Sequence, residues 1–484
     1  MINYSQEALG NPQRLLFISL FRGILVRMQE QIILIDVLSK KGRGVCSSEK
    51  FEVPGALEGE EVRVAPGPRQ KKHRIGYLRE VLTPSPLRVE PRCVHVPQCG
   101  GCPLQQLDYG AQLKRKQAQV EGEFERLIQE FSATVRPIVG CDDPWNYRNK
   151  MEFSFSENRD GEKFLGLILA GSRGRVFNLK SCSIASSWFD QIVEGVRTWW
   201  EESGLSAYHF KTDQGHLRTL TLREAKQGVG KMVMLTVSGN PEFALKQSQI
   251  DRFVELIQKI SAHETVSIFL QVHQVCKGKP TQFYEMLLAG PDHITERLEI
   301  ELEKEIYPLE FKISPTSFFQ PNTLQAQKLY SLGLAGLSLK GKRVFDLYCG
   351  AATLGISAAL VAKEVVGIEL NPYAVFDARW NVEANKVENV RIEKGDVGEL
   401  LSKIQEAPDV VIVDPPRIGL DAKALKHLVE LSPEEILYIS CNPKSQRENA
   451  EELIKAGYRL KMIQPVDQFP HTYHIENICV FKRT

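Results

Sequence analysis

The sequence predicts an α/β protein in three parts: a small N-terminal β-barrel, an α+β middle, and a C-terminal parallel sheet wrapped by helices. Three observations lead there. The chain, at 484 residues, is too long for one compact domain. Short β-type runs split by Gly and Pro turns fill the region before residue 91, at the spacing of a small barrel. From about Phe311 onward, buried apolar runs alternate with turns and helical segments, the pattern of a parallel sheet covered by helices.

Residues 1–27 read as an N-terminal tail, with Met28 as an alternative start. The apolar run Leu15 to Phe21 is short, is bracketed by Arg14 and Arg22, and lacks a small-residue cleavage site, so it is not read as a signal peptide. The barrel is placed at 28–91 on the runs Ile32 to Val37, Gly59 to Val64 and Ile75 to Leu82. Pro84-Ser-Pro86 and Pro91 close it. The middle region, 92–310, opens with three crowded cysteines and a basic helical stretch, Tyr109 to Glu130, followed by strand-like segments such as Met151 to Phe155 and Met232 to Ser238. Its topology does not follow from the pattern. In the last region, 311–484, strands are expected at Arg343 to Tyr348, Glu364 to Glu369, Val410 to Asp414 and Ile436 to Ser440. There is no internal repeat.

Composition is that of an ordinary globular protein, 43% hydrophobic and 25% charged, and no run reaches the roughly 20 apolar residues of a membrane helix. A cytoplasmic chain with no membrane is therefore expected. Net charge is +1, but it is unevenly spread. Met1 to Lys116 carries 18 Lys and Arg against 11 Asp and Glu, with a dense run at Arg69, Lys71, Lys72 and Arg74. Such a run is a solvated loop or a phosphate-contacting surface.

Asp346-Leu-Tyr-Cys-Gly350 sits where the first predicted parallel strand hands over to a helix. A glycine there permits a tight turn beside a ligand, and the helix start adds unpaired N–H groups. The next strand ends in Glu369, an acid placed to accept ribose hydroxyls, and Asp396 and Asp414 end the third and fourth strands. Each acid alone could merely cap a helix, but four in register mark a ligand edge in a Rossmann-like sheet. The missing Walker Lys-Ser argues against ATP, and the missing full G-x-G-x-x-G argues against a dehydrogenase.

Asp414-Pro-Pro-Arg417 follows a buried strand and forms a rigid loop able to present carbonyls and an acid to a planar base. Cys441, in Ile439-Ser-Cys-Asn-Pro443, follows the next strand and should project from the same edge. A thiolate adding to C6 of uracil makes C5 nucleophilic, and a base must then take the C5 proton. Glu476, in His471-Thr-Tyr-His-Ile-Glu-Asn477, is the candidate base. The plainer reading of Cys441 is a small buried hydrophobe. Cys349 lies inside the cofactor loop and is read as structural.

At this point the sequence resembles the RNA uracil-5-methyltransferase family, in its rRNA-type branch with a TRAM domain and an iron–sulfur cluster. The carriers are Gly42-Arg-Gly-Val45, Val53-Pro-Gly-Ala56, Cys99-Gly-Gly-Cys102, Tyr147-Arg-Asn-Lys150, Ser317-Phe-Phe-Gln-Pro-Asn322, Asp346-Leu-Tyr-Cys-Gly350, Asp414-Pro-Pro-Arg417, Ser440-Cys-Asn-Pro443 and Phe469-Pro-His-Thr472. They span nearly the whole chain beyond residue 28.

The resemblance implies that Gln320, Tyr348, Thr353, Glu369, Asp396 and Asp414 contact S-adenosylmethionine, that Phe318 stacks on the target base, and that Cys441 and Glu476 are nucleophile and base. The chain departs from the family at Ala351-Ala-Thr353, where a glycine and an asparagine are more usual, and at Lys444-Ser-Gln446, where a threonine is.

Cys93, Cys99 and Cys102 supply three thiolates, and Cys182, where the family has a cysteine, would be the fourth. A 4Fe-4S cluster of structural role is favoured over zinc. Cys46, Cys141, Cys276 and Cys479 are read as packing residues. The barrel resembles TRAM, an OB-like RNA-binding module. The expected partner is RNA, 23S rRNA favoured over tRNA, with the target uridine taken out of its stack and no obligate protein partner of a monomeric chain. The alternatives are a non-catalytic RNA-binding protein on this scaffold, and a radical enzyme, which would need a C-x3-C-x2-C triad where the first gap here is five residues.

Overall fold

The computed structural model describes residues 30–70, 72–172, 174–276, 278, 280–404 and 406–484. The tail 1–27 and Lys71 of the basic run lie outside the described residues. The chain divides into two compact units at Arg88 and Val89.

In the first unit the described residues form a curled six-stranded sheet. Its strands are β1 (Gln31–Leu34), β2 (Val37–Leu38), β3 (Gly44–Cys46), β4 (Phe51–Val53), β5 (Glu61–Gln70) and β6 (His73–Thr83), in the order β1-β5-β6-β4-β3-β2. All pairings are antiparallel except β4 with β6. Three register shifts between β5 and β6 bend this long pair, so the sheet wraps a core of Ile33, Ile35, Phe51, Val53, Val62 and Val64. Edge residues Asp36 and Val45 are joined by a backbone hydrogen bond of 2.8 Å.

The second unit begins with helix α1 (Tyr109–Phe131). Asp108 caps it by accepting from the Ala111 N–H at 3.0 Å, and Ser132, at φ 51°, ends it. Its buried face runs Gln112, Lys116, Val120, Phe124, Leu127 at helical spacing. Strand β7 (Thr134–Val135) follows. A seven-stranded sheet is built next: β8 (Lys150–Glu157), β9 (Lys163–Ile168), β10 (Val176–Asn178), β11 (Leu217–Glu224), β12 (Lys231–Ser238), β13 (Val266–Gln274) and β14 (Gln282–Ala289), in the order β10-β9-β8-β11-β12-β13-β14. Helices α2 (Ser187–Ser203) and α3 (Gln247–Ile260) bury Trp200, Phe189, Phe253 and Ile257 in a core shared with this sheet, and α3 makes the crossover between parallel β12 and β13. A hairpin, β15 (Ile294–Leu302) and β16 (Glu305–Ile313), leads into the last region.

There the sheet has eight strands. Helix α4 (Thr323–Leu334) precedes β17 (Arg343–Leu347), α5 (Thr353–Ala359), β18 (Glu364–Glu369), α6 (Pro372–Ala384), β19 (Val390–Lys394), α7 (Val397–Leu401), β20 (Val410–Val413), α8 (Ala422–Leu431), β21 (Glu435–Ser440), α9 (Pro443–Lys455), β22 (Tyr458–Val466) and β23 (Glu476–Arg483). The order is β19-β18-β17-β20-β21-β23-β22-β7, parallel from β19 to β21, with β23 antiparallel to both neighbours. Strand β7 and α1, which precede the middle sheet in the chain, pack on this C-terminal layer.

Lys116 explains how α1 is held. Its ammonium, fully buried, lies 2.5 Å from Asp467 Oδ1 and 3.0 Å from the Phe469 carbonyl, and Tyr109 donates to the same carboxylate at 2.9 Å. Lys116→Met strands the buried Asp467 carboxylate and is expected to cost about 3–5 kcal/mol. A urea midpoint unchanged from the parent protein would refute this, and pairing the change with Asp467→Asn should recover most of the loss.

Candidate active site

The C-terminal ends of β17, β18, β20 and β21 share one edge, as they must in a parallel sheet with right-handed crossovers. After β17 the backbone turns sharply through Tyr348, Gly350 and Ala352, at φ +63°, +55° and +61°. Two of these are not glycine, a conformation that clusters at ligand sites. The turn is held by its neighbours. Glu369 accepts from the Gly350 N–H at 3.0 Å and from the Asn371 N–H at 2.7 Å, while Asp346 accepts from the Gly355 N–H at 2.8 Å. A cleft of about 200 Å³ opens here, lined by Thr316, Ser317, Phe318, Tyr348, Gly350, Ala351, Glu369, Asn371, Tyr373 and Ala374.

Phe318 stands 70% exposed at the cleft because its turn is clamped on both sides. The Ser317 carbonyl accepts from Arg223 Nη2 at 2.8 Å, and the Ser317 hydroxyl donates to Asp377. Gln320 is buried beside Gln468, and its carbonyl accepts from the Asn149 amide at 2.9 Å.

A second cluster forms where β20, β21 and β23 meet. The β21–β23 register pairs Ser440 with Asn477, which brings Glu476 opposite Cys441. The D-P-P-R loop closes over them: Asn442 and Ser445 donate to the Arg417 carbonyl at 2.9 and 3.1 Å, and Arg417 donates to His474 Nδ1 at 2.8 Å. The Arg417 guanidinium also acts on the Cys441 thiol, favouring its ionised form. Burial first, then the charges of Glu476 and Asp414, push that thiol up to about 11, while Arg417 pulls it down. Burial lifts Asp414 to about 7. Burial and then Asp414 hold Glu476 well above the usual carboxylate range, against Arg417. Burial, followed by the charges of Arg417, Lys116 and Arg148, drops His474 to about 4, so its ring is neutral and accepts from Arg417.

Asp346, fully buried, is raised to about 8 by desolvation, with Asp414 and Glu369 adding to it against the Gly355 N–H. Asp346, Asp414 and Glu476, all raised by burial, bind protons more tightly than free carboxyls do. The consequence for stability has a definite sign. At these carboxyls the folded state binds more protons than the unfolded one between about pH 4 and pH 8, so their contribution to stability falls as pH rises through that window. The melting temperature of the ligand-free protein is expected to drop from pH 6 to pH 9, and Asp346→Asn to flatten the slope. A parent protein whose melting temperature climbs across that range would contradict the argument.

The structure therefore brings Phe318, Tyr348 and Glu369 to one cleft and Asp414, Cys441 and Glu476 to one cluster on the same edge. Thr353 starts α5 beside the buried Tyr330. Asp396 is exposed and caps α7, accepting from Glu399 at 3.0 Å, which is the helix-cap arrangement. Neither it nor Gln320 nor Thr353 is among the residues lining the cleft. Cys349 is buried against Gly367. Arg417 and His474 received no role in the sequence reading, although both stand inside motifs it singled out. The signal was the tetrapeptide itself, a cation at the end of a rigid loop beside a cysteine.

All ten cysteines are free. Cys93, Cys99 and Cys102 lie on one irregular segment, and Cys182, some eighty residues on, joins them: each of the others adds to the raised thiol of Cys102. The Gly101 N–H points at the Cys99 sulfur at 3.4 Å. Among the described residues no three His, Cys, Asp or Glu side chains stand close enough to hold a single metal ion. No helix of the described residues is long and apolar enough to cross a membrane.

Comparison with known proteins gives these features a family. A profile of the tRNA (uracil-5-)-methyltransferase family matches residues 248–484. An uncharacterized RNA methyltransferase of Protochlamydia amoebophila is 47% identical over 440 residues, covering 89% of this chain and 99% of that one. Another, from Caldanaerobacter subterraneus subsp. tengcongensis, is 35% identical over 465 residues, covering 93% and 98%. Among solved structures, the Pyrococcus abyssi tRNA (uracil-54, C5)-methyltransferase in complex with S-adenosyl-L-homocysteine aligns with a TM-score of 0.69 and 27% identity, over 93% of this chain and all of that one. A ligand cleft at the end of a parallel sheet, a cysteine faced by a buried glutamate, and full-length relatives agree: the chain belongs to the tRNA (uracil-5-)-methyltransferase family of S-adenosylmethionine-dependent RNA methyltransferases.

Proposed function

We propose that this enzyme methylates C5 of a uracil in 23S rRNA, with Cys441 as nucleophile and Glu476 as base. The observation that carries the reading is the β21–β23 register, which sets Glu476 against Cys441 beneath Arg417. S-adenosylmethionine supplies the methyl group when bound. The cleft fits it: Glu369 and the left-handed turn at Tyr348–Gly350 would hold the nucleoside end, and Asp414 would stand toward the acceptor, whereas Thr353, Asp396 and Gln320, outside the cleft lining, are kept as contacts only on the family resemblance.

On the acceptor side, Phe318 stacks on the flipped uracil. Cys441 gives up its proton to solvent and adds as the thiolate to C6, Arg417 offsetting the negative charge as it forms on sulfur. Once C5 carries the methyl, Glu476 removes the C5 proton and the C6–S bond breaks, freeing the cysteine. Glu476 takes the C5 proton in its ionised form, and its raised affinity for protons makes it a stronger acceptor.

The four cysteines suit a 4Fe-4S cluster of structural role. A single tetrahedral zinc draws its sulfurs to about 4 Å of one another, given Zn–S near 2.3 Å. What supports the reading is that Cys182 is brought to Cys93, Cys99 and Cys102, so that the four thiols act on one another; the choice of cluster over zinc rests on the family resemblance. The curled sheet of the first unit is assigned as a TRAM-like RNA-binding module on its basic residues. The enzyme is read as a cytoplasmic monomer.

A second reading keeps the chemistry and changes the substrate to tRNA, because the similar Pyrococcus abyssi protein is a tRNA (uracil-54, C5)-methyltransferase. One experiment separates them: 5-fluorouridine-substituted 23S rRNA and tRNA transcripts incubated with enzyme and S-adenosylmethionine on a denaturing gel. Fluorine at C5 cannot leave as a proton, so the methylated adduct stays on Cys441. A shifted band with rRNA alone supports the proposal, a band with tRNA alone moves the substrate, and no band in either lane rejects the reaction.

A further inference from the structure

The segment Tyr147–Lys150 alternates in a way the reaction as described does not use. Its odd-numbered residues face inward and tie two loops of the site together. Tyr147 donates to the Pro470 carbonyl at 3.2 Å, and Asn149 donates to the Gln320 carbonyl at 2.9 Å and to the Thr323 hydroxyl at 3.0 Å. The strand period of two therefore turns Arg148 and Lys150 to the other face, where both are half-buried.

That face is crowded with positive charge. Lys150 is the cross-strand partner of Arg223 in the β8–β11 pair, and like charges directly opposite destabilise a sheet. Arg223 is buried, and while its Nη2 holds the Ser317 carbonyl, its Nη1 is buried without a hydrogen-bond partner. Arg148 Nε is bonded to the Lys150 carbonyl at 3.0 Å, and its charge reaches His474 beside Cys441. Among the described residues none of the three makes an ion pair within 4 Å. Glu152 acts on Lys150, and Asp377 and Glu296 act on Arg223, from further away. Desolvation, then Arg223 and, beyond the opposing Glu152, Arg148 bring the Lys150 ammonium down to about 8, the mark of a cation short of counter-charge.

We infer that Arg148 and Lys150 form a backbone-phosphate clamp for the RNA strand whose uridine enters the Cys441 site, with Arg223 as the buried positive field behind them. The inference rests on the proposed reaction for its place along the RNA. The chemistry that would satisfy it is a phosphodiester, whose two non-bridging oxygens share one negative charge and accept from a guanidinium and an ammonium at once. The clamp sits between the Phe318 turn and the Pro470–His474 turn, so a phosphate held there fixes the register of the strand without reading its sequence.

The test is RNA affinity as a function of salt, measured by fluorescence anisotropy on the full-length protein with end-labelled 23S rRNA and tRNA transcripts. Phosphate contacts are independent of sequence, so neither transcript needs to contain the target uridine. Lys150→Gln and Arg148→Gln should each weaken binding and lower the log–log salt slope by about 0.7–0.9, the value of one lost phosphate contact. Lys150→Arg should keep the slope, and S-adenosylhomocysteine affinity should be unchanged in all three. Unchanged slopes in both glutamine variants overturn the clamp. So does a Lys150→Arg protein as weak as Lys150→Gln, or parallel loss of S-adenosylhomocysteine, because a structural role would produce either. The 5-fluorouridine adduct distinguishes the underlying reading: wild-type protein without an adduct but with the slope changes keeps the clamp and loses the reaction.

Discussion

Cys441→Ala is expected to lower methyl transfer by about 10⁴-fold or more, and to abolish the denaturation-resistant complex with 5-fluorouridine RNA, while S-adenosylmethionine still binds. The size of the effect follows from the acceptor. Uracil C5 has too little nucleophilicity to take a methyl by itself, so without the sulfur at C6 the later steps have no starting point. Loss of a covalent nucleophile elsewhere costs rate on this scale, leaving only what positioning supplies. The alanine is not expected to damage the fold, because Cys441 is half-exposed at a strand end and its backbone neighbours are held by Asn442, Ser445 and Arg417. It also removes a thiol that burial and two carboxyls disfavour in its ionised form. Methylation continuing near the parental rate would transfer the nucleophile's role elsewhere, with Cys349 the next cysteine along the edge.

Glu476→Gln should separate the two halves of the reaction. Addition and methyl transfer remain available, but the C5 proton has no acceptor, so a methylated adduct accumulates on ordinary uridine RNA and turnover falls by about 10²–10⁴. The readout is a gel-stable band with unmodified RNA, present in the glutamine variant and absent from the parent. Turnover close to parental, with no trapped band, would move the base to Asp414, the other acid whose charge reaches Cys441.

Much of the fold was legible because it is written in short-range patterns. The expected strands at 343, 364, 410 and 436 match β17, β18, β20 and β21 to within a residue at each end, and the helix expected over Tyr109 to Glu130 is α1. Periodicity reports local burial, and these elements are buried by their immediate layer. The middle sheet was not legible: its order, β10-β9-β8-β11-β12-β13-β14, is a set of pairings between segments whose individual patterns are compatible with several partners. Nor did local pattern show that α1 and β7 leave the middle region to pack on the C-terminal sheet, because what anchors α1 there is Lys116, a charge that reads as surface until Asp467 is beside it.

By itself the sequence determined the alternation of strands and helices in the last region, the edge on which Glu369, Asp414 and Cys441 must emerge, and the chemistry those residue types permit. Tertiary structure alone decided which groups act on one another. The antiparallel return of β23 puts Glu476 opposite Cys441. The closure of the D-P-P-R loop brings Arg417 to the thiol and to His474. The approach of β8 to β11 sets Lys150 against Arg223. The physical reason is the range of the forces involved. Side-chain period and turn chemistry act over a few residues, whereas desolvation and charge act through space, between groups the chain keeps tens or hundreds of positions apart.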